Sequence, residues 1–155
     1  MTIRFLVNPS SGGGKGAKSL PRIRELAAAT GSDVWLSKDA EDLTRLAKKA
    51  VGEGVERLLV AGGDGTFHQV EQGLAGTGCA MGLVPLGRGN DLARTLQVPE
   101  AVEEAVEFAL HEPIASIDVG RVGSFCFAGY CGVGFDSEVA AYLHSGSRVF
   151  KGPMA

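Results

Sequence analysis

Four short apolar runs, separated by segments of helical pattern, restrict this chain more than any other feature. IRFLV (Ile3–Val7), VWLS (Val34–Ser37), RLLVA (Arg57–Ala61) and MGLV (Met81–Val84) have the length and branched-residue content of buried strands. A first helix is predicted over Leu20–Ala29, with Pro21 in its first turn and Gly31 as its stop. Asp39 is placed to cap a second helix running to about Val51, with Leu43, Leu46, Ala47 and Ala50 on one face. A third runs from Thr66 to about Leu74, and a short one starts at Asp91. Pro99 is predicted to open a last helix to about Leu110, with Val102, Ala105, Val106 and Ala109 on its apolar side. Trp35, on the second run, is expected in the core. Strand and helix alternating in this way define an α/β unit with a mostly parallel sheet.

The texture changes after residue 113. IASIDVGRV and SFCFAGY have the pattern of adjacent antiparallel strands about a short Gly-containing turn, and GFDSEVAAYLH that of a helix beginning near Asp136. The expected organisation is therefore an α/β domain over residues 1–118 and the incomplete start of a β-rich domain over 119–155. Unpaired edges of that unfinished β unit offer a route to a homodimer.

Composition excludes several classes. A net charge of −3 lacks the basic footprint of a nucleic-acid binder. No apolar stretch approaches the roughly 18 residues that would span a bilayer, and the start MTIRFLVNP has too short an apolar run for a secretory signal. Cys79, Cys126 and Cys131 are odd in number and lack CxxC spacing, so buried free thiols in a reducing cytoplasm are expected. The three histidines are too far apart to suggest a metal-ligand pair.

The one unusual number is glycine, 23 of 155 residues, roughly twice its usual share. Many of these glycines cluster where three of the strands end: NPSSGGGKG, GGDGT and PLGRGND. In an open parallel sheet, ligands bind beyond the carboxyl ends of the strands. Glycines there let backbone N–H groups approach an anion, and a following helix adds its positive end, so three such loops at one edge suit a phosphate. The first loop is not a P-loop, because Pro9 takes the first glycine position and Gly16 follows Lys15. Gly12, Gly14 and Ala17 satisfy the looser dinucleotide pattern, without the acid expected after the second strand.

Asp64 sits among the glycines of the second loop, where an acid would repel phosphate. Two readings stay open: a turn residue bonding nearby N–H groups, or a carboxylate sharing Mg²⁺ with the phosphates. Thr66 is placed to cap its helix and to offer a hydroxyl. Arg88 has the planar fork for phosphate. Asn90 suits ribose, phosphate or backbone, and Asp91 reads as the cap of the helix DLARTL. Arg94 reads as a partner for an acid or as solvated. His68, read from the residues alone, is a surface or core histidine.

Together NPSSGGGKG, GGDGT with its helix, PLGRGNDLAR, SIDVGRV and GVGFDSEVA resemble the catalytic domain of the diacylglycerol kinase family, which includes bacterial lipid kinases and sphingosine kinases. The resemblance covers nearly the whole chain and rests on the order and spacing of its motifs; GGDGT alone is shared with NAD kinases. It implies a Rossmann-like ATP-binding domain followed by a β-rich lipid-binding domain, with the active site between them. It implies nucleotide contacts from Asn8, Pro9, Ser10, Ser11 and Gly12, from Ser37, and from Gly62, Gly63, Asp64, Gly65, Thr66 and His68. Gly87, Arg88, Gly89 and Asn90 would close the other side. ATP and Mg²⁺ are the implied cofactors, with Asp64 and Asp118 in the magnesium network, although Asp118 reads equally as a hinge or strand-end residue.

The implied substrate is a lipid at the membrane surface, reached by a cytoplasmic or membrane-peripheral protein. The family's general base lies in the second domain, beyond Ala155, so the chain is expected to be inactive alone. Two positions depart from the common pattern: His68-Gln69 stand for Asn-Glu, and Arg88 for Thr. The alternatives are an NAD kinase-type enzyme, a non-catalytic nucleotide-binding module, and a dinucleotide-binding domain.

Overall fold

The computed structural model describes residues 1–135 and 137–139. Its main sheet has four parallel strands in the order β2-β1-β3-β4: β1 (Ile3–Val7), β2 (Val34–Leu36), β3 (Arg57–Gly62) and β4 (Ala80–Pro85). Helices α1 (Ser11–Ala29), α2 (Ala40–Gly52), α3 (Asp64–Leu74), α4 (Asp91–Thr95) and α5 (Val102–His111) connect or follow these strands. The fold is thus the α/β class that the alternation predicts.

The sheet is covered on both faces. Alternate residues of a strand point to opposite sides, so Leu6, Leu58, Val60 and Leu83 meet α2 and α3, where Leu43, Leu46, Ala47, Ala50, Phe67, Val70 and Leu74 are buried. Phe5, Val7, Leu59, Ala61 and Val84 face the other way, onto Ile23 and Ala27 of α1 and Ala105, Val106 and Ala109 of α5. β3, paired on both sides and covered on both faces, is buried throughout. The face expected on α2 is the face that packs. Its start is fixed as expected by Asp39, whose side chain accepts a hydrogen bond from the Asp42 amide at 2.8 Å, a cap contributing about 1 kcal/mol.

Arg57, at the start of β3, is buried with its guanidinium on the last carbonyls of α5: it bonds Ala109 O, and Glu112 O at 3.3 Å. A cation there satisfies orphan carbonyls and complements the negative end of the helix.

Several expected boundaries move. The first helix starts at Ser11 and not at Leu20, so Pro21 lies inside α1 and not in its first turn. Gly12, Gly13 and Gly14 all take positive φ (58°, 66° and 97°), so the first turn is left-handed before the helix continues. The ring of Pro21 is exposed, away from the packed Ile23 and Ala27. Pro99 does not open α5, which begins at Val102 after an extended Ala101. Trp35 is half-buried and not core, because β2 is an edge strand. Its ring instead carries Lys49 Nζ 4.5 Å and the Arg4 guanidinium 5.1 Å from the centroid.

Beyond α5 the chain runs exposed from Glu112 to Val119 without regular structure. β5 (Gly120–Val122) and β6 (Phe125–Phe127) then form an antiparallel hairpin. The turn is Gly123-Ser124, with Gly123 at φ +58°, as a two-residue hairpin connection requires. The strand expected over IASIDVGRV is therefore only its last three residues. The helix expected from Asp136 starts at a residue outside the described set and runs mostly beyond it. Of the three thiols, Cys126 alone is buried; Cys79 is half-buried and Cys131 exposed.

Candidate functional site

In this strand order, β1 and β3 are neighbours whose outgoing connections lead to opposite faces of the sheet: α1 packs on one side, α3 on the other. That makes a topological switch point, with a crevice beyond the carboxyl ends of the two strands. The loops Asn8–Ser10 and Gly62–Gly63 flank it, and the loop Leu86–Asn90 follows β4 at the same edge.

The three loops are joined to one another. Asn8 Nδ2 donates to Thr66 Oγ1 at 2.9 Å, and the Asn8 backbone N–H reaches Ala61 O at 3.0 Å. Leu86 N–H bonds Gly62 O at 2.7 Å. Where the second and third loops meet, a Cβ built on Gly63 would lie 2.9 Å from the Gly87 Cα. A Cβ on Gly12 would lie 2.0 Å from Leu86 O, so the first loop leans on the third. The glycines here are required by backbone-to-backbone contact, and at Gly12 by a positive φ as well.

Asp64 is the first residue of α3, and its Oδ1 accepts a hydrogen bond from the Leu92 amide at 3.1 Å. Leu92 is the second residue of α4, whose N-cap position, Asn90, makes no side-chain cap. Asp64, at the start of α3, therefore caps α4 beyond the neighbouring strand. This corrects the reading of Asp91 as cap: Asp91 is exposed and pairs with Arg94 at 3.3 Å. Arg94 also donates to Gly89 O at 2.7 Å. Asp64 Oδ2 faces Gly89, 3.2 Å from where a Cβ would stand on that residue.

Thr66 likewise is not the cap of its helix. Gly63 holds that position, while Thr66 is buried within the first turn. Asn90 takes the left-handed conformation (φ 54°, ψ 40°) and accepts the Gly87 N–H at 2.8 Å, so its amide oxygen shapes the third loop. Asparagine tolerates that conformation better than most residues.

Ser10 is exposed and its N–H bonds Asn8 Oδ1 at 3.1 Å; Ser11 is buried and donates to Asn8 O at 2.8 Å. Pro9 and Gly12 are half-buried and Gly65 is exposed in the first turn of α3. Ser37 ends beside β1, its amide on Val7 O at 3.0 Å, so it belongs to the same edge. His68 is half-buried on α3, two residues past Thr66. Arg88 is exposed at the tip of the third loop.

Asp118 stands apart from these contacts, on the exposed linker before β5. Sequence reasoning missed Lys15. Its side chain folds beside Gly12, with Cβ and Cδ each 3.1 Å from the position of a glycine-12 Cβ. The signal available was GGGK, which puts a cation on a turn that already exposes backbone. Among the described residues, neither Lys15 nor Arg88 takes part in an ion pair.

No cluster of three or more His, Cys, Asp or Glu side chains suited to a metal occurs among the described residues. Mg²⁺ does not need one. It keeps several waters and takes one or two carboxylates together with substrate phosphates, and Asp64, with one oxygen on Leu92, retains a second.

An open parallel α/β unit with three interlocked glycine-rich loops at its carboxyl edge is the class that this geometry defines. The model of the diacylglycerol kinase catalytic domain matches residues 2–122, and the chain belongs to that family. It is 31% identical to a diacylglycerol kinase of Staphylococcus carnosus over 156 aligned positions, covering 98% of this chain and 51% of that one. A Chromohalobacter salexigens protein named "Probable lipid kinase YegS-like" is 35% identical, over 81% of this chain and 43% of its own. A crystal structure of a diacylglycerol kinase from Bacillus anthracis superposes with a TM-score of 0.72 at 29% identity, covering 81% of this chain and 49% of that one. The chain thus spans about half the length of the curated relatives it matches. None of the described helices is long and apolar enough to cross a membrane.

Proposed function

We propose that this chain is the ATP-binding portion of a lipid kinase that transfers the γ-phosphate to a lipid hydroxyl such as that of diacylglycerol. The observation that carries the reading is the interlocked edge, where backbone groups of three loops, held together by Asn8, Gly63 and Gly87, converge at the switch point. Asn8 to Gly12 border the phosphates on one side, Gly62 to Thr66 lie beneath them, and Gly87 to Asn90 close the other side. Ser37 and His68 lie at the margins. Lys15 and Arg88 supply positive charge that no acid of the described chain neutralises.

Phosphoryl transfer asks mainly for positioning and charge stabilisation, which is what rigid loops and two free cations offer. The second oxygen of Asp64 would hold Mg²⁺, with Asp118 as the further candidate of its network, and the ion would supply positive charge to offset that of the phosphates. By the family's pattern the base that takes the proton of the lipid hydroxyl is expected beyond Ala155, so the chain alone is expected to bind nucleotide without phosphorylating lipid. Family membership argues against an NAD kinase-type or dinucleotide-binding reading.

A thermal melt with Mg-ATP, with ATP and chelator, with NADPH and without ligand tests this. Ligand at about 100 times its Kd adds roughly 2.7 kcal/mol, or some 5–10 °C for a chain of this size. A rise with Mg-ATP alone is expected. A shift with NADPH and none with Mg-ATP would replace the kinase reading by the dinucleotide one. Lipid phosphorylation by the purified chain would overturn the expectation of inactivity.

A further inference from the structure

The hairpin β5–β6 touches the α/β unit at α3, and its attachment there is polar. Gln72, in the last turn of α3, donates through Nε2 to Cys126 O at 2.8 Å and accepts the Cys126 N–H on Oε1 at 2.9 Å. The side-chain amide thus satisfies both backbone groups of one β6 residue, as a neighbouring strand would. The same Nε2 also donates to His68 O at 2.9 Å, one turn earlier, which orients the amide. Next to it, Glu71 is buried with its Oε1 unpartnered, and the Ala128 N–H faces its carboxyl group.

Beyond the Gln72 bonds, the Ala128 N–H at Glu71 and the buried Cys126 side chain, little among the described residues fixes the hairpin. The linker from Glu112 to Val119 is exposed, and a cavity of about 620 Å³ separates it from the outer edge of β4, lined by Leu83, Phe108, Ile114, Ile117 and Ala128 among others. A segment that spans open space, without regular structure, imposes no orientation on the hairpin attached to its far end.

We propose that Gln72 is a latch that docks the β5–β6 hairpin on α3, and that the linker 112–119 is the hinge on which the hairpin swings when the latch opens. The two hydrogen bonds are directional and exchangeable with water, so the docked arrangement is specific and yet separable at modest cost. α3 carries Asp64 at its first residue and Gln72 eight residues on, about 12 Å along a rigid helix. The latch therefore sets the distance from the glycine loops to the hinge and the hairpin, Asp118 included. Gln72 is a positioning residue, and the inference stands whether or not the loops bind a nucleotide.

Hydrogen exchange read residue by residue on the whole 155-residue chain tests it. Gln72→Met keeps the shape and removes both bonds; Gln72→Glu keeps an acceptor and loses the donor. The Cys126 amide is expected to exchange about tenfold faster or more in Gln72→Met, and by a smaller factor in Gln72→Glu. Amides at Val70 and Leu74 and along β3 should change less than twofold. An unchanged Cys126 amide would overturn the latch, as would an acceleration spread equally over β3, which marks a merely structural residue. Should Gln72→Met lose its cooperative melt, Gln72→Glu decides alone: selective acceleration at Cys126 supports the latch, and none refutes it.

Discussion

Phe5 and Phe125 are the same side chain in opposite circumstances. Phe5, on β1, is 1% exposed between the sheet and α1, whereas Phe125, on β6, is 65% exposed. The contrast extends to their regions. Up to α5 the large apolar side chains of strands and helices are mostly buried; from residue 114 onward Ile114, Val122, Tyr130, Val133 and Phe135 are all exposed. The sheet region closes its own core on both faces. The hairpin region has strand geometry and apolar content without a layer to bury them against, and is held by hydrogen bonds to Gln72 and one buried thiol. Parallel pairing covered by helices is self-sufficient; a two-stranded hairpin is marginal without further layers.

The largest break in this comparison should come from Phe67→Ala. Its ring is 0% exposed beneath the second glycine loop, and truncation is expected to cost about 3–5 kcal/mol, read as a shift in the denaturant midpoint. Next in size is Gly63→Ala, which forces a methyl against Gly87. Overpacking of that kind costs about 1–3 kcal/mol and should abolish the Mg-ATP shift in the melt while leaving a folded chain.

Asp64 separates stability from binding. Removing the cap of α4 in Asp64→Ala should cost about 0.5–2 kcal/mol. Asp64→Asn keeps an acceptor for the Leu92 N–H, so it should retain most of that stability and still lose the Mg-ATP shift. An undiminished shift in Asp64→Asn would make Asp64 a structural cap only.

Glu71 gives a pH test across the junction of the two regions. Burial pushes its carboxyl above the usual range, despite the opposing Ala128 amide and the nearby His68. A pKa raised in the folded state means stability present at low pH and lost as pH rises through the folded value. The melting temperature should therefore fall as pH rises above the usual carboxylate range and through the raised Glu71 value, and Glu71→Gln should flatten that part of the profile. A profile unchanged by the substitution would remove Glu71 from the junction's energetics. The smallest effect is expected for Phe125→Ser, within about 0.5 kcal/mol; a large loss would show that this face is covered in solution.

Much of the sheet region is legible in the residues because its signals are local. β1 is read with both its ends, α2 with its cap and buried face, and the three glycine loops fall at one edge because parallel strands all point the same way. Errors gather at glycine and proline. The Gly12–Gly14 run reads as loop, yet it makes a left-handed turn that leads straight into helix, and Pro21 sits inside that helix on its exposed side. The contacts that build the site are not legible at all. Asp64 to Leu92, Asn8 to Thr66 and Gln72 to Cys126 join residues 28, 58 and 54 positions apart. No pattern of neighbouring residues encodes such pairs; the sheet order creates them.

That order also bears on how the chain is made. β1 is an interior strand, with β2 on one side and β3 on the other, and it is synthesised before the other three. Its second neighbour begins at Arg57, paired with Ile3. At 5–20 residues per second, roughly 3–10 s pass between the two. Throughout that interval the nascent chain presents IRFLV with at least one edge open, in the company of α1 and then of β2 and α2. Synthesis through β3 is the point at which that edge closes, and the open edge passes to β3 until β4 follows.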